Sequence, residues 1–448
     1  MGLDFTTGPV MPLLIRFFTP FLLANILNSL YNTIDTIIIG QFVGSAGIVS
    51  VTMGGKMLNL FAIIGTAFAG GGQTLIAQLT GAKRKDDVRE AIGTLFSFML
   101  ILSVITACLI IIFARPLLGL FNTPQESMAD AIKYTRITSI GLPLMFGYTA
   151  VSAVLRGMGD SKHPLMFIGI AAAFNLIGDL VFVAAFNMSA AGTALATVMG
   201  QGLSLICSLV LLYRHKETFG FDFKLRSFKI IKEKMIVIAK IGFPMALRGL
   251  FIQVTQLFLM GQVNKFGIAE SAAYSIGDKV YHLSNIFVMA VAQGGAGMIA
   301  QNVGAEKRER VKPIMRSTLL LACGFAAVLS VFSLLFPDQI YSLFTSDTDV
   351  IVYAKVFMRI SCLIFFVCAF MGTYDGVVTG TGAAILSFIG GFLDGVLFRV
   401  CFSLLFAYVL NWGIAGFFMG EALARLGPII VGAVYYHSGA WLKKKKLM

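Results

Sequence analysis

Long apolar runs return at regular intervals along the whole chain, and no other property restricts its fold as severely. A hydrocarbon core of roughly 30 Å is crossed by about 20 helical residues. Runs long enough to do so cover 14–39, 47–73, 91–113, 131–155, 164–186, 190–213, 236–261, 271–300, 314–336, 352–379, 383–408 and 412–436. In lipid, every backbone N–H and C=O must be satisfied inside the structure, which leaves helices or closed barrels. Barrel strands need only about 10 residues of alternating character, and these runs are continuous and longer. The sequence therefore predicts an all-α polytopic membrane protein with twelve transmembrane helices. Composition agrees: 13% of residues are charged, against roughly 25% in ordinary soluble domains.

A net charge of +13 would suggest nucleic acid if the basic residues formed one face, but here they lie between the apolar runs. Lys83, Arg84, Lys85 and Arg89 follow the second run, Lys162 the fourth, Lys307, Arg308, Arg310 and Lys312 the eighth, and Lys443 to Lys446 the twelfth. Loops after odd-numbered runs are nearly bare. The positive-inside rule then puts both termini in the cytoplasm, with the bilayer as a partner and no nucleic acid. No short apolar region ends in a small-residue cleavage site, so the first helix is expected to be retained. All six cysteines sit inside apolar runs without metal-ligand spacing, which indicates neither a disulfide framework nor a zinc site.

Sliding the sequence on itself by 223 positions lays IAQLTGAKRKDDV (76–88) on IAQNVGAEKRERV (299–311). At the same offset Lys56 meets Lys279, Arg136 meets Arg359, and Gly157 and Gly159 meet Gly380 and Gly382. Six runs precede and six follow the basic stretch 214–235. Residues 1–213 and 236–448 thus read as two pseudo-symmetric six-helix lobes joined by a cytoplasmic linker, the second ending in a basic tail. Six is even, so both lobes share one orientation, as in transporters built from parallel repeats.

A charged side chain at the centre of a span costs roughly 2.5 to 3.5 kcal/mol on insertion scales, which makes intramembrane charges candidate functional groups. Asn25, Asn28, Asn32 and Asp35 form one stripe of the first span. Asn175 and Asp179 share a face of the fifth, and Thr193 and Thr197 a face of the sixth. Carboxylate, amide and hydroxyl oxygens suit a small hard cation, the same carboxylates can carry a proton, and a buried hydrogen-bond network is the structural alternative. In the second half Arg248, Lys279, Arg399 and Arg425 stand against Asp278, Asp375, Asp394 and Glu421. Ion pairing and snorkelling account for most of these. Asp375 stands out among Gly372, Gly376 and Gly380, where a helix can bend.

Pro20 with Asp35, the duplicated IAQxxGA, LRGMGD (155–160), NxxxD in the fifth span and AGTALAT (191–197) together resemble the multidrug and toxic compound extrusion (MATE) transporters, over essentially the whole chain. The resemblance implies two six-helix bundles forming a V in a bacterial inner membrane. It implies a secondary active exporter that works by alternating access; no cofactor and a monomer are expected. An inward Na+ or H+ gradient would drive antiport of organic small molecules, cationic and amphipathic drugs among them. It places Asp35, Asn175, Asp179 and Thr197 in the cation or proton site, as the metal ligands if the ion is Na+. Asp375 matches an acidic position in the tenth span, and Asn32, Gln253 and Asp375 become candidates for a substrate or second-lobe site. Gln253 stands where the branch resembling NorM carries a glutamate, and an amide cannot carry that proton. An exporter or flippase of anionic, zwitterionic or lipid-linked substrates is the alternative. An enzyme is not expected: the GxGD and YD echoes at Gly157–Asp160 and Tyr374–Asp375 lie in reversed order in different halves, and no GxxxxGK[ST] phosphate loop is present.

Overall fold

A computed structural model describes residues 2–120, 123–216, 221–443 and 447, and among these no strand occurs. The first half comprises α1 (Val10–Phe42), α2 (Ser45–Gly81), α3 (Lys85–Leu120), α4 (Gln125–Ile140), α5 (Leu142–Gly157), α6 (Lys162–Asp179) and α7 (Ser189–Arg214). The second comprises α8 (Lys232–Val263), α9 (Ile268–Gly304), α10 (Val311–Leu335), short α11 (Pro337–Ser342) and α12 (Thr348–Ile351), then α13 (Ala354–Gly380), α14 (Ala384–Phe392), α15 (Arg399–Leu404), α16 (Ile414–Ala424), α17 (Leu426–His437) and α18 (Ala440–Lys443). Eleven described helical segments are long and apolar enough to cross a membrane. The twelfth, α4 with α5, is bent by 47°. Pro143 explains the break: it lacks an N–H and clashes with the carbonyl one turn back, so a new helix starts at Leu142, after the junction at Gly141. The sequence reading of 131–155 as one unbroken span missed this.

The chain forms two compact units, Met1–Leu3 with Leu23–Phe243 and Asp4–Leu22 with Pro244–Met448. The first part of α1 thus belongs to the second unit, and the first part of α8 to the first. Both changeovers lie within a turn of a proline inside the helix, Pro20 and Pro244.

In the first unit the described part of the linker is docked on α3. Phe221 and Phe228 meet at 5.2 Å, and Phe96 packs on Phe221 at 5.9 Å. The Thr94 hydroxyl accepts from Ile231 N–H at 3.1 Å, and Ser97 donates to the Phe228 carbonyl. Arg89 pairs with Asp222 at 2.9 Å. The Ser227 hydroxyl, donating at 2.5 Å, holds the Asp222 carboxyl below its usual range, helped by the Lys224 N–H and the Arg89 charge. A group depressed in this way stabilises docking above the ordinary Asp value of about 3.9 and loses that contribution as pH falls through its folded value. The approach needs Gly93, where an added Cβ would lie 1.8 Å from the Ser227 carbonyl oxygen. Gly93→Val is expected to release residues 221–231, measured as faster limited proteolysis there than in the intact protein.

In the second unit the N-terminal segment binds the second IAQxxGA copy. Phe5 N–H donates to Gln301 Oε1 (3.3 Å), Asn302 Nδ2 to the Phe5 carbonyl (3.0 Å), and Lys307 Nζ to the Thr6 carbonyl (2.9 Å).

Backbone geometry recurs between the units. Positive φ occurs at Gly44 and Gly267, Lys83 and Glu306, and Gly159 and Gly382, each pair 223 apart. It also occurs at Asn187 and Asn411, and at Ser189 and Gly413, each 224 apart. The same helix-ending bonds close α2 and α9: Arg84 N–H to Leu79 O and Lys307 N–H to Asn302 O, five residues back. These are Schellman closures with a non-glycine residue in the left-handed position. Left-handed backbone costs a non-glycine residue about 1–2 kcal/mol, so chance recurrence at offsets of 223 and 224 is a poor explanation.

Candidate functional site

Small residues bring α6 and α7 together in the first unit. A Cβ on Gly178 would lie 2.8 Å from the Ala196 methyl, and one on Gly200 would lie 2.9 Å from the Ala171 carbonyl and 3.5 Å from Asn175 Cβ. This proximity sets Asn175 beside Thr197. A π-helical turn, Leu180–Ala185, begins directly after Asp179, a feature frequent at functional positions.

Asp35, Asn175 and Asp179 are buried, Asp179 completely at 0% exposure, while Thr197 is half-buried. Of the two Asn175 amide orientations, one would point its oxygen at the Asp35 carboxylate, so the other is adopted. Its nitrogen then donates to Asp35 Oδ1 at 2.6 Å, and its oxygen accepts from the Thr197 hydroxyl and backbone N–H, both at 3.2 Å. The Asp35 and Asp179 carboxyls are within side-chain hydrogen-bonding reach of each other. Two bare carboxylates cannot donate to one another, however, and neither buried Asp179 oxygen has a partner at hydrogen-bond distance; the neighbouring Thr193 hydroxyl, a donor beside Asp179, is likewise unpartnered. Buried carboxylate oxygens without a partner are strongly unfavourable. A shared proton or a small cation among these oxygens removes that cost.

The four sequence-predicted coupling residues therefore come together. Thr193 joins them, and the buried phenol of Tyr134 on α4 lies close enough for the charges of both carboxylates to act on it. Thr193 shares a helical face with Thr197 and was legible in the sequence, whereas nothing in the sequence singles out Tyr134. No group of three or more His, Cys, Asp or Glu side chains suited to a metal occurs among the described residues; this set has two carboxylates plus amide and hydroxyl oxygens. The side chain of Asn32 lies outside the described residues. Gln253 is half-buried on α8, and Lys56 and Lys279 are exposed. Asp375 is engaged by Arg248 at 2.9 Å.

In the second unit Arg399 bridges two carboxylates, Nη1 to Glu421 Oε1 at 2.5 Å and Nη2 to Asp394 Oδ1 at 2.9 Å. Tyr274 donates to Glu421 Oε2 at 3.1 Å, and Arg425 lies 4.6 Å over the Tyr281 ring while donating to the Glu421 carbonyl. Arg399 and Glu421 are each at most 2% exposed, which excludes snorkelling for them and leaves pairing.

Paired carboxylates inside a two-unit helical bundle fit ion-coupled transport, and comparison with known proteins decides the family. The MatE family model matches residues 20–181 and 244–409, one stretch in each half. The chain belongs to the MatE family. Probable multidrug resistance protein YpnP of Bacillus subtilis is 26% identical, over 99% of this chain and 98% of that protein. A FAD transporter of Shewanella oneidensis is 24% identical, over 74% and 73%. A solved structure of a MOP superfamily transporter from Pyrococcus furiosus superposes with a TM-score of 0.92 at 19% identity, covering 99% of both chains, and shows the common fold. This MATE protein is thus an integral membrane efflux transporter and not an enzyme, built on the twelve-span all-α architecture expected from its sequence.

Proposed function

We propose that the protein exchanges inward-moving Na+ or H+ for outgoing organic small molecules, cationic and amphipathic ones above all. The observation that carries this reading is the buried Asp35–Asp179 pair, with no partner at hydrogen-bond distance on either Asp179 oxygen. Cation or proton binding neutralises the pair. Asp35 and Pro20 lie on one helix, so a change in charge at the pair bears on the packing and bending of α1. Ion binding then lowers affinity for the exported molecule, and by reciprocity that molecule lowers affinity for the ion by the same factor. Asn175, Thr193 and Thr197 hold and orient the carboxylates, and in the Na+ case lend oxygen ligands. The multidrug name of the YpnP relative supports the substrate class.

The FAD transporter relative supports a second reading, export of an anionic substrate. Against it, Arg248, Arg399 and Arg425 are each offset by carboxylates, which leaves them little net positive charge for an anion. The basic loops support cytoplasmic termini in a bacterial inner membrane, with two six-helix lobes working as a monomer.

Proteoliposomes loaded with a fluorescent organic cation test the reading. Export is expected under one imposed gradient, Na+ or H+, and not without it. Absence of export under both would overturn the organic-cation assignment and bring anionic cargo forward.

A further inference from the structure

We infer that the second unit carries a structural counterpart of the ion site whose cation is the protein's own Arg399, so that ion uptake is confined to one site per chain. The inference rests on the coupling role proposed for Asp35 and Asp179.

The register comes from the backbone. Asn187 and Ser189 match Asn411 and Gly413 in positive φ at an offset of 224. The π-helical turn Leu180–Ala185 is matched by another at Leu405–Val409. Gly192 packs against Phe182 as Gly416 packs against Phe406 and Ala407. At this offset Asn175 corresponds to Arg399 and Thr197 to Glu421. Asn175 and Thr197 are hydrogen-bonded in the first unit, and Arg399 and Glu421 are salt-bridged in the second. The charges are redistributed around that shared contact. Asp179 becomes the buried Ser403; Asp35 falls on Leu259 at the 224 that Pro20 and Pro244 also keep, or on Phe258 at the 223 of Gly44 and Gly267, apolar either way; and Asp394, in the π-helical turn Leu393–Phe398 where the offset changes, replaces Ile170 or Ala171, both apolar.

The first unit therefore presents two carboxylates with open oxygens and no fixed cation. The second presents two carboxylates already spanned by a planar guanidinium, whose fork reaches one oxygen of each. A tethered cation cannot exchange with solution. Removing Arg399 while keeping Asp394 and Glu421 should open a site for Na+ or H+ of the same class.

The test is equilibrium uptake by the purified full-length protein, with radioactive Na+ in dialysis and with proton uptake followed by a pH dye. The intact protein is expected to take up one cation, lost in Asp35→Asn. Arg399→Gln is expected to take up a second, which persists in Asp35→Asn/Arg399→Gln. The charge-balanced Arg399→Gln/Glu421→Gln variant is expected to return to one and to export with unchanged ion dependence in proteoliposomes. A monodisperse Arg399→Gln protein without added uptake would overturn the inference. So would loss of gradient-driven export in the charge-balanced variant, which also decides the matter if Arg399→Gln alone does not fold. Uptake in the intact chain that Asp35→Asn leaves untouched would instead refute the underlying coupling assignment, whatever Arg399→Gln does.

Discussion

Asp35→Asn is expected to reduce gradient-driven export by about 5- to 150-fold, the span that a coupling free energy of roughly 1–3 kcal/mol covers. Asparagine preserves the shape of the side chain but neither takes up a proton nor supplies a full negative charge. Downhill leak and equilibrium binding of the organic cation should survive, since the substitution removes the response to the ion and not the bundle. The measurement is initial efflux rate with and without the gradient, on proteoliposomes matched for protein content. An Asp35→Asn protein that still accelerates when the gradient is imposed would move the coupling site elsewhere in the chain. Asp179→Asn should behave alike, because each carboxylate lies within reach of the other.

The second large effect concerns stability. Glu421→Ala leaves Arg399 and Arg425 buried with Asp394 as their remaining carboxylate within the cluster, and removing one partner of a buried ionic cluster costs about 3–5 kcal/mol. That is a large part of the roughly 5–15 kcal/mol that keeps a typical domain folded. Thermal unfolding of the detergent-solubilised protein should show a clear fall in midpoint. Lys133→Ala, which breaks an exposed pair with Asp130, should cost about 0–1 kcal/mol at most. Equal midpoints for the two variants would show that the Arg399 cluster contributes little to stability.

Much of this is legible in the amino-acid sequence, for physical reasons. Span length follows from bilayer thickness, so the apolar runs locate the helices, with ends that differ by up to eight residues, as at Gly81 against 73. The stripe through Asp35 and the i, i+4 pair Asn175 and Asp179 follow from helical periodicity, and the structure brings Asp35 to that pair. The break at Gly141 was overlooked because Pro143 lies inside an otherwise unbroken apolar run, while Pro20 and Pro244 sit in helices that continue. Linker docking escaped notice because its basic residues dominate the reading, whereas Phe221 and Phe228 do the packing. Tyr134 reaches the carboxylates only through tertiary packing. Glu421 and Arg425 stand four residues apart, the spacing of a helical pair, but the shorter contact between side chains runs from Glu421 to Arg399 at 2.5 Å, between residues 22 positions apart. Local spacing cannot announce such a partner.

The changeovers at Leu22 and Phe243 bear on biogenesis. Domains ordinarily fold in the order in which they leave the ribosome. Here residues 4–22 are made among the first yet belong to the second unit, and Lys232–Phe243 are made after the chain midpoint yet belong to the first. The first unit is incomplete until synthesis has passed Phe243, and the second requires a segment that has waited since the start. Each unit therefore draws on both ends of the synthesis, and separately expressed halves would each lack a piece of their own interior.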